Sequence, residues 1–223
     1  MKIGISTGTV HKLVNCTNRD DLITFVRKQN LQINCIEVML HPDFVRDFKL
    51  SDENCKYFDT LENVALHIDE PQLNHEPCLY EYMFDNYIWH PDKFLSVEKS
   101  KYIENDILIE NIENPSDNIY FKDMTKKHDI CCDISHALFN GINYLEIFIK
   151  MWQSKIKYFH ISNCISGQCH LPFYNDPSSK FPQIVDMIKE YNLMDSVFII
   201  ETTCETVADL HNEFEYISKI LNN

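Results

Sequence analysis

Histidine and carboxylate residues recur at one place in the pattern of this sequence, the end of a short apolar run. The residues at or next to such run ends are His67, His90, Glu110, Asp133, His136, His160 and Glu201, and His170 follows in the loop after the seventh run. Imidazole nitrogens and carboxylate oxygens are the side-chain ligands that zinc, manganese and cobalt take in proteins. The same groups act as general acids and bases. The pattern therefore indicates metal binding or proton transfer, provided that the fold brings the runs together.

Each of these residues has a simpler explanation when it is taken alone. A single histidine at a strand end is more often a hydrogen-bonded core residue than a metal ligand, and Glu110 could be satisfied by one neighbour. The group is harder to explain in this way. Burying Glu110, Asp133 and Glu201 around one axis without a cation would leave like charges side by side, at a cost of roughly several kcal/mol each. The pattern favours a divalent-metal site.

The apolar runs alternate with helical patterns along the chain. The strand-like runs are Lys2–Ser6, Cys35–Leu40, Val64–Ile68, Tyr87–His90, Ile107–Ile112, Ile130–Ser135, Ile156–Ser162 and Ser196–Glu201. The predicted helices are Asp20–Asn30, Asp43–Phe48, Lys93–Lys99, Ser116–His128, Tyr144–Gln153, Pro182–Tyr191 and Thr206–Leu221, with a poorly patterned segment at Pro71–Asp85. Such alternation predicts a parallel sheet, because parallel neighbours need a crossover connection. The length of the chain favours a single α/β domain, residues 1–223, and eight such units favour a closed (β/α)8 TIM barrel.

In a barrel of this kind the carboxyl ends of the strands form one rim, where catalytic groups from several strands converge. The histidines and carboxylates at the run ends are therefore expected to face one another. The segment Asn163–Lys180 is long for a connection inside a compact domain. We interpret it as a lid or specificity segment, or else as a surface excursion. Phe173 and Tyr174 would stack on a sugar face in the first case and anchor the loop in the second.

Composition excludes several functions and partners. The chain has only 4 glycines and neither a GxGxxG nor a GxxxxGK[ST] motif, which argues against dinucleotide and P-loop sites. Its formal charge is −14, and no Lys/Arg run is longer than Lys126-Lys127, which disfavours nucleic acid as a partner.

The cysteines and apolar runs suggest where the protein resides. The 9 cysteines include no CxxC pair, as is typical of reduced thiols. Cys131 and Cys132 are expected to face opposite sides of a strand. We find no signal peptide and no apolar run long enough to cross a membrane, so a cytoplasmic location is expected.

Several segments in series carry a resemblance to a known superfamily. They are KIGISTGT, CIEVML, ALHID, IWHP, LIEN, CDISHA, FHIS, GQCHLP and FIIET, in this order from Lys2 to Glu201. The chain thereby resembles the xylose isomerase-like TIM barrels. That superfamily joins sugar and sugar-phosphate isomerases and epimerases with the zinc AP endonucleases of the endonuclease IV type.

The resemblance implies two overlapping sets of site residues. In the epimerases, one metal would be held by residues matching Glu110, Asp133, His160 and Glu201, with both glutamates flanking the substrate carbon and His136 contacting a substrate oxygen. In the endonucleases, a further zinc would be held by His67, His90 and a bridging Glu110. His136 and His170 would match two ligands of a third zinc, whose expected Asp is replaced here by Gln168.

Three functional hypotheses follow. The favoured one is a divalent-metal-dependent sugar or sugar-phosphate isomerase or epimerase, which transfers a proton through an enediol. The alternatives are a zinc-dependent phosphodiesterase of the AP endonuclease type and a metal-binding barrel without catalytic activity. The sparse Lys and Arg favour a small polar substrate, a sugar, over DNA. The expected cofactor is one or two Zn, Mn or Co ions, and the sequence leaves the oligomeric state open.

Overall fold

Eight parallel strands close into a barrel, as the alternation predicted. The computed structural model describes residues 1–14, 18–40, 50–68, 84–91, 107–113 and 118–223. The strands are β1 Lys2–Ser6, β2 Cys35–Leu40, β3 Asn63–Ile68, β4 Asn86–Trp89, β5 Ile107–Glu110, β6 Asp129–Asp133, β7 Ile156–Ile161, β8 Asn163–Ile165, β9 Gln168–Leu171 and β10 Val197–Ile200. The barrel order is β1-β10-β7-β6-β5-β4-β3-β2, while β8 and β9 form a separate antiparallel pair. The prediction of a (β/α)8 TIM barrel is confirmed.

Helices surround the barrel. They are α1 Thr7–Val10, α2 Arg19–Lys28, α3 Asp52–Phe58, α4 Asn118–Met124, α5 Ile134–Phe139, α6 Ile142–Trp152, α7 Phe181–Glu190 and α8 Val207–Leu221. The predicted helices at 43–48 and 93–99, and most of the segment 71–85, lie outside the described residues. Among the helices that the structure describes, none is both long and apolar enough to cross a membrane.

The strands separate two apolar layers. The barrel interior is filled by Cys35, Ala65, Ile88, Leu108, Cys131, Tyr158, Val197 and Ile199. Residues of the opposite parity, such as Ile36, Ile109 and Phe159, join the larger cluster between strands and helices. This arrangement follows from the two-residue period of a strand. It also confirms the prediction for the adjacent cysteines, because Cys131 lies in the interior and Cys132 in the outer layer.

Several boundaries differ from the prediction, and the helices α1, α3 and α5 were not predicted. Two of the differences bear on the site. The sixth strand was expected to run to Ser135, but β6 ends at Asp133 and α5 begins at the next residue. The reason is a helix cap, since the Asp133 carboxylate accepts a hydrogen bond from the His136 backbone amide at 2.7 Å. The expected loop 163–180 contains the β8–β9 hairpin. Phe173 is fully buried against Phe181, with ring centroids 4.9 Å apart, and so anchors the segment.

Candidate metal centre

Each polar residue at the rim comes two residues after an apolar residue of the barrel interior. The interior residues and the rim residues that follow them are Cys35 and Glu37, Ala65 and His67, Ile88 and His90, Leu108 and Glu110, Cys131 and Asp133, Tyr158 and His160, and Ile199 and Glu201. Side chains two residues apart in a strand point to the same face. The barrel therefore carries an apolar layer with a layer of imidazoles and carboxylates directly above it.

His160 on β7 lies at the centre of this layer and is fully buried. Its Nδ1 is 2.9 Å from Glu201 Oε2, 3.3 Å from Glu110 Oε1 and 3.8 Å from Asp133 Oδ2. Its other ring nitrogen, Nε2, donates a hydrogen bond to Glu37 Oε2 at 2.7 Å. One imidazole thus lies close to carboxylates from four different strands or strand ends.

A second group of ligand atoms meets the opposite oxygen of Glu110. His67 Nε2 lies 3.1 Å and His90 Nε2 3.2 Å from Glu110 Oε2. Since Glu110 Oε1 faces His160, this carboxylate stands between the two groups. That is the position the resemblance assigns to a bridging ligand.

Asp133 and His136 are held in place by the start of α5. Asp133 Oδ1 accepts hydrogen bonds from the His136 amide and, at 2.8 Å, from the Ser135 hydroxyl, so Oδ2 remains for the site. Asn111 fixes the same turn, because its side chain exchanges two hydrogen bonds with the Asp133 backbone. The Asn111 carbonyl accepts from His136 Nδ1 at 2.8 Å, which leaves Nε2 of that ring for a ligand.

His170 was expected in a loop and lies instead on β9 of the hairpin. Its ring packs edge-on against that of His136, with centroids 5.2 Å apart. Its Nδ1 is 3.3 Å from the Glu201 carbonyl oxygen. Asp133, His136 and His170 thereby bring ligand atoms within 4.8 Å of one another, whereas Gln168 is exposed.

The buried charges shift one another's pKa values strongly. Burial alone would raise the pKa values of Glu110 and Glu201, but neighbouring histidines outweigh it and hold both well below the usual range. Burial would lower the pKa values of His67 and His160, yet the surrounding anionic groups raise both well above the usual range. Without a metal, these carboxylates are ionised and these imidazoles protonated at neutral pH.

Asp133 and His136 also influence each other's pKa values. Burial raises the pKa of Asp133, and the positive charge of His136 offsets this only in part. The pKa of His136 rises to about 9, because Asp133, Glu110 and Glu113 together outweigh the effect of burial. The site therefore holds protons at neutral pH in places where a cation would be bound instead.

The donor set fits a divalent cation. Buried atoms that lack a hydrogen bond of acceptable geometry include Glu37 Oε1, Glu110 Oε2, Asp133 Oδ2, Glu201 Oε2 and both ring nitrogens of His67, although opposite charges lie nearby. Buried polar atoms in proteins are normally hydrogen-bonded or coordinated. Among the described residues, the groups able to hold an ion include His67–His90–Glu110 and Glu110–Asp133–His160–Glu201. Mixed imidazole and carboxylate ligands suit zinc, manganese and cobalt.

The structure brings together every residue predicted at the rim and adds two that the sequence pattern did not reveal. Glu37 is fully buried between His160 and His67. The sequence could have revealed Glu37, because it is a carboxylate in the apolar run CIEVML. It lies two residues after Cys35 and therefore faces the barrel interior on the same side of the strand. Asn111 was visible in LIEN, but its contacts with β6 depend on tertiary structure.

Fold and site together define a class, a (β/α)8 barrel with buried imidazoles and carboxylates at the carboxyl ends of its strands. No protein-family model and no curated protein sequence matches the chain. Solved structures do match it, over nearly the whole chain.

One match is the AsfvAP:AG structure, with 13% identity, 99% of each chain covered and a TM-score of 0.61. A sugar phosphate isomerase/epimerase from Parabacteroides distasonis matches with 11% identity, 98% of each chain covered and a TM-score of 0.64. An L-ribulose 3-epimerase matches with 13% identity over 96% of this chain and 86% of that chain, at a TM-score of 0.61. Two of these matches carry the names of sugar isomerases or epimerases. At these identities they show the shared fold, and the reaction has to be argued from the site.

Proposed function

We propose that this protein is a divalent-metal-dependent isomerase or epimerase acting on a sugar or sugar phosphate. One observation carries the proposal. Two glutamates, Glu110 from β5 and Glu201 just beyond β10, approach the same nitrogen of His160 from different strands, at 3.3 and 2.9 Å. This pair can serve two faces of one carbon atom, which is what proton removal and return in an epimerisation requires.

The ligands for the cation would be Glu110, Asp133, His160 and Glu201. A bound divalent ion would polarise adjacent substrate oxygens and make the C–H bond between them more acidic. Glu110 and Glu201 are ionised at neutral pH, which is the form that accepts a proton. One of them would remove the proton and the other would return it, by way of an enediol.

His136 would bind a substrate oxygen. Its Nδ1 is committed to the Asn111 carbonyl, so Nε2 is the nitrogen that contacts the ligand. With a pKa of about 9 this ring is protonated at neutral pH and donates a hydrogen bond. Its role is to orient the substrate and to stabilise negative charge on the oxygen as the enediol forms.

The surroundings suit a small polar substrate. A cavity of about 290 Å³ is lined by His170 and by side chains that include Lys12, Tyr174 and Glu205, while Glu110, Glu201 and His136 are not among its lining residues. This volume lies near the lower end of those of small-ligand pockets, roughly 300–1,000 Å³. The net charge of −14 also argues for a neutral or weakly charged substrate.

The test is solvent deuterium exchange into a panel of ketoses and aldoses and their phosphates, followed by NMR in D2O. Protein purified without chelators and loaded with Mn, Co or Zn is expected to exchange the C–H next to the carbonyl of at least one sugar. Glu110→Gln and Glu201→Gln should each reduce the exchange by about 10²-fold or more. Glu62→Gln, an exposed site paired with Asn34, is the matched control and should exchange like the wild type.

Metal content has to be measured on each variant, because both glutamates are also proposed ligands. A metal-loaded wild type that exchanges no sugar of the panel would contradict the isomerase proposal. Full exchange in both glutamine variants would contradict the catalytic roles of the two glutamates.

A zinc-dependent phosphodiesterase is the second candidate, because of one further observation. His67, His90 and Glu110 form a second group able to hold an ion, and Glu110 joins it to the first group. Two ions sharing a carboxylate are typical of enzymes that cleave phosphate esters. Two zinc ions per chain, combined with cleavage of an abasic-site duplex, would favour this candidate over the isomerase.

A further inference from the structure

Glu37 has no role in the proposed sugar reaction, yet it occupies the centre of the site. It is fully buried on β2, and its two oxygens face two different imidazoles. Oε2 accepts a hydrogen bond from His160 Nε2 at 2.7 Å. Oε1 lies 3.4 Å from His67 Nδ1, a nitrogen that also lies 3.6 Å from Glu201 Oε1. A buried carboxylate placed between two rings in this way contacts one nitrogen of each.

The other nitrogen of each ring faces a different ligand group. His160 Nδ1 faces Glu110, Asp133 and Glu201. His67 Nε2 faces Glu110 together with His90. When a carboxylate accepts a hydrogen bond from one nitrogen of a neutral imidazole, the other nitrogen carries the lone pair that can bind a metal. Metal-binding histidines are commonly oriented by such a carboxylate.

We propose that Glu37 is a positioning residue that selects the metal-binding nitrogen of two histidines, Nδ1 of His160 and Nε2 of His67. The inference rests on the proposed metal centre and not on the sugar reaction. One side chain thereby orients a ligand in each of the two groups. It acts through the rings and makes no contact with the substrate.

A direct ligand role for Glu37 is the competing explanation. Glu37, His67, His160 and Glu201 also bring ligand atoms within 4.8 Å of one another. An ion bound there would use His160 Nε2, the nitrogen that now donates to Glu37, and would leave Nδ1 without a role towards Glu110 and Asp133. The two explanations therefore differ in which ring nitrogen binds the metal.

The first experiment is performed on the zinc-loaded wild-type protein. Two-bond ¹H–¹⁵N correlation spectra of ¹⁵N-histidine-labelled protein show which nitrogen of each ring carries the proton. The rings are assigned from the signals that vanish in His160→Asn and His67→Asn. We expect a proton on Nε2 of His160 and on Nδ1 of His67. A proton on Nδ1 of His160, with zinc on Nε2, would overturn the proposal.

The second experiment measures zinc affinity by competition with a chromophoric chelator. Glu37→Leu removes both acceptors and is expected to weaken binding by about 10–100-fold. Glu37→Gln keeps one acceptor oxygen, so one histidine should keep its wild-type tautomer while the other loses it. Glu62→Gln, the same substitution on an exposed residue near the opposite end of the barrel, is the control.

The outcomes separate this inference from the proposed function. Wild-type affinity in a folded Glu37→Leu variant, as judged by circular dichroism, would overturn the role of Glu37. If the Glu37 variants do not fold, the spectra of the wild type decide. Zinc bound through the expected nitrogens without sugar exchange would uphold Glu37 and contradict the isomerase. Sugar exchange with zinc on His160 Nε2 would uphold the isomerase and contradict the role of Glu37, and a wild type that binds no metal would overturn both.

Discussion

At the scale of single residues, the site balances buried negative charge with protons. The pKa values of Glu37, Glu110 and Glu201 are lowered despite burial, because protonated imidazoles lie against them. His67 and His160 hold those protons at neutral pH. A bound cation would take over this charge balance, so metal uptake should release protons. The metal-free protein instead depends on its protonated histidines.

The metal-free protein is therefore predicted to lose stability as the pH rises from about 6.5 to about 9. The folded pKa of His136, about 9, exceeds the ordinary value of 6.5. A raised histidine pKa contributes stability that is fully present below the unfolded pKa and is lost as the pH rises through the folded one. For His136 this amounts to at most about 3 kcal/mol. The shifts of His67 and His160 have the same sign.

Urea denaturation of chelator-treated protein at a series of pH values measures this effect. A His136→Asn variant should show a shallower decline, because one of the titrating groups is gone. Stability that stays constant or increases between pH 6.5 and pH 9 would contradict the prediction. The lowered pKa values of Glu110 and Glu201 affect stability at acidic pH. Their contribution to stability is lost as the pH falls below about 4.5.

The sequence predicted which residues meet at the rim because a barrel turns strand ends into neighbours. Glu37 escaped notice because it lies within its strand rather than at the end. Its spacing of two residues from the interior residue Cys35 would have revealed that it faces the barrel interior. The contacts of Asn111 with Asp133 join two strands, so no local pattern contains them. The roles assigned to all these residues stay predictions until they are tested.

At the scale of elements, the position of β2 depends on a close approach to β1. Gly4 lies in register with Cys35 on β2 and Ile199 on β10. A methyl group on Gly4 would lie 2.3 Å from the Cys35 carbonyl oxygen and 2.5 Å from its carbon. Both atoms are backbone, so relief requires β2 to shift, and β2 carries Glu37 two residues further on.

Gly4→Ala is therefore predicted to destabilise the protein severely, by about 3 kcal/mol or more. Gly141→Ala is the matched control. Its added methyl group would meet nothing within 4 Å, and its positive φ of 97° should cost only about 1–3 kcal/mol through backbone strain. Chemical denaturation of both variants provides the comparison. A Gly4→Ala protein at least as stable as Gly141→Ala would contradict the close packing of β1 on β2.

At the scale of elements, the predicted bounds are correct where hydrophobic periodicity determines them. They are wrong where a helix cap determines them. The predicted bounds of β1 and β2 agree with the structure. The end of β6 was wrong by two residues, because the Asp133 cap begins a helix inside an apolar run that fits a strand equally well. The hairpin β8–β9 was missed because its strands are only three and four residues long.

At the scale of the whole molecule, the fold was predictable because the alternating pattern repeats along the entire chain. Each unit alone is weak, but eight units leave few topologies other than a closed barrel. The structure confirms this closure. The fold does not determine the reaction, since the three matched structures are only 11–13% identical to this chain. The net charge is a property of the whole chain that bears on this choice.

The charge of −14 predicts that the zinc-loaded protein does not bind an abasic-site duplex measurably at ~0.1 M salt. Phosphate contacts need lysine or arginine, and their contribution grows as salt is removed, so low salt is the more demanding condition. Fluorescence anisotropy of labelled abasic and intact duplexes, titrated from high to low salt, measures this. Equal and negligible binding of both duplexes supports a small substrate. Binding of the abasic duplex that strengthens steeply at low salt would demonstrate a local basic surface that overrides the net charge, and it would favour the phosphodiesterase over the isomerase.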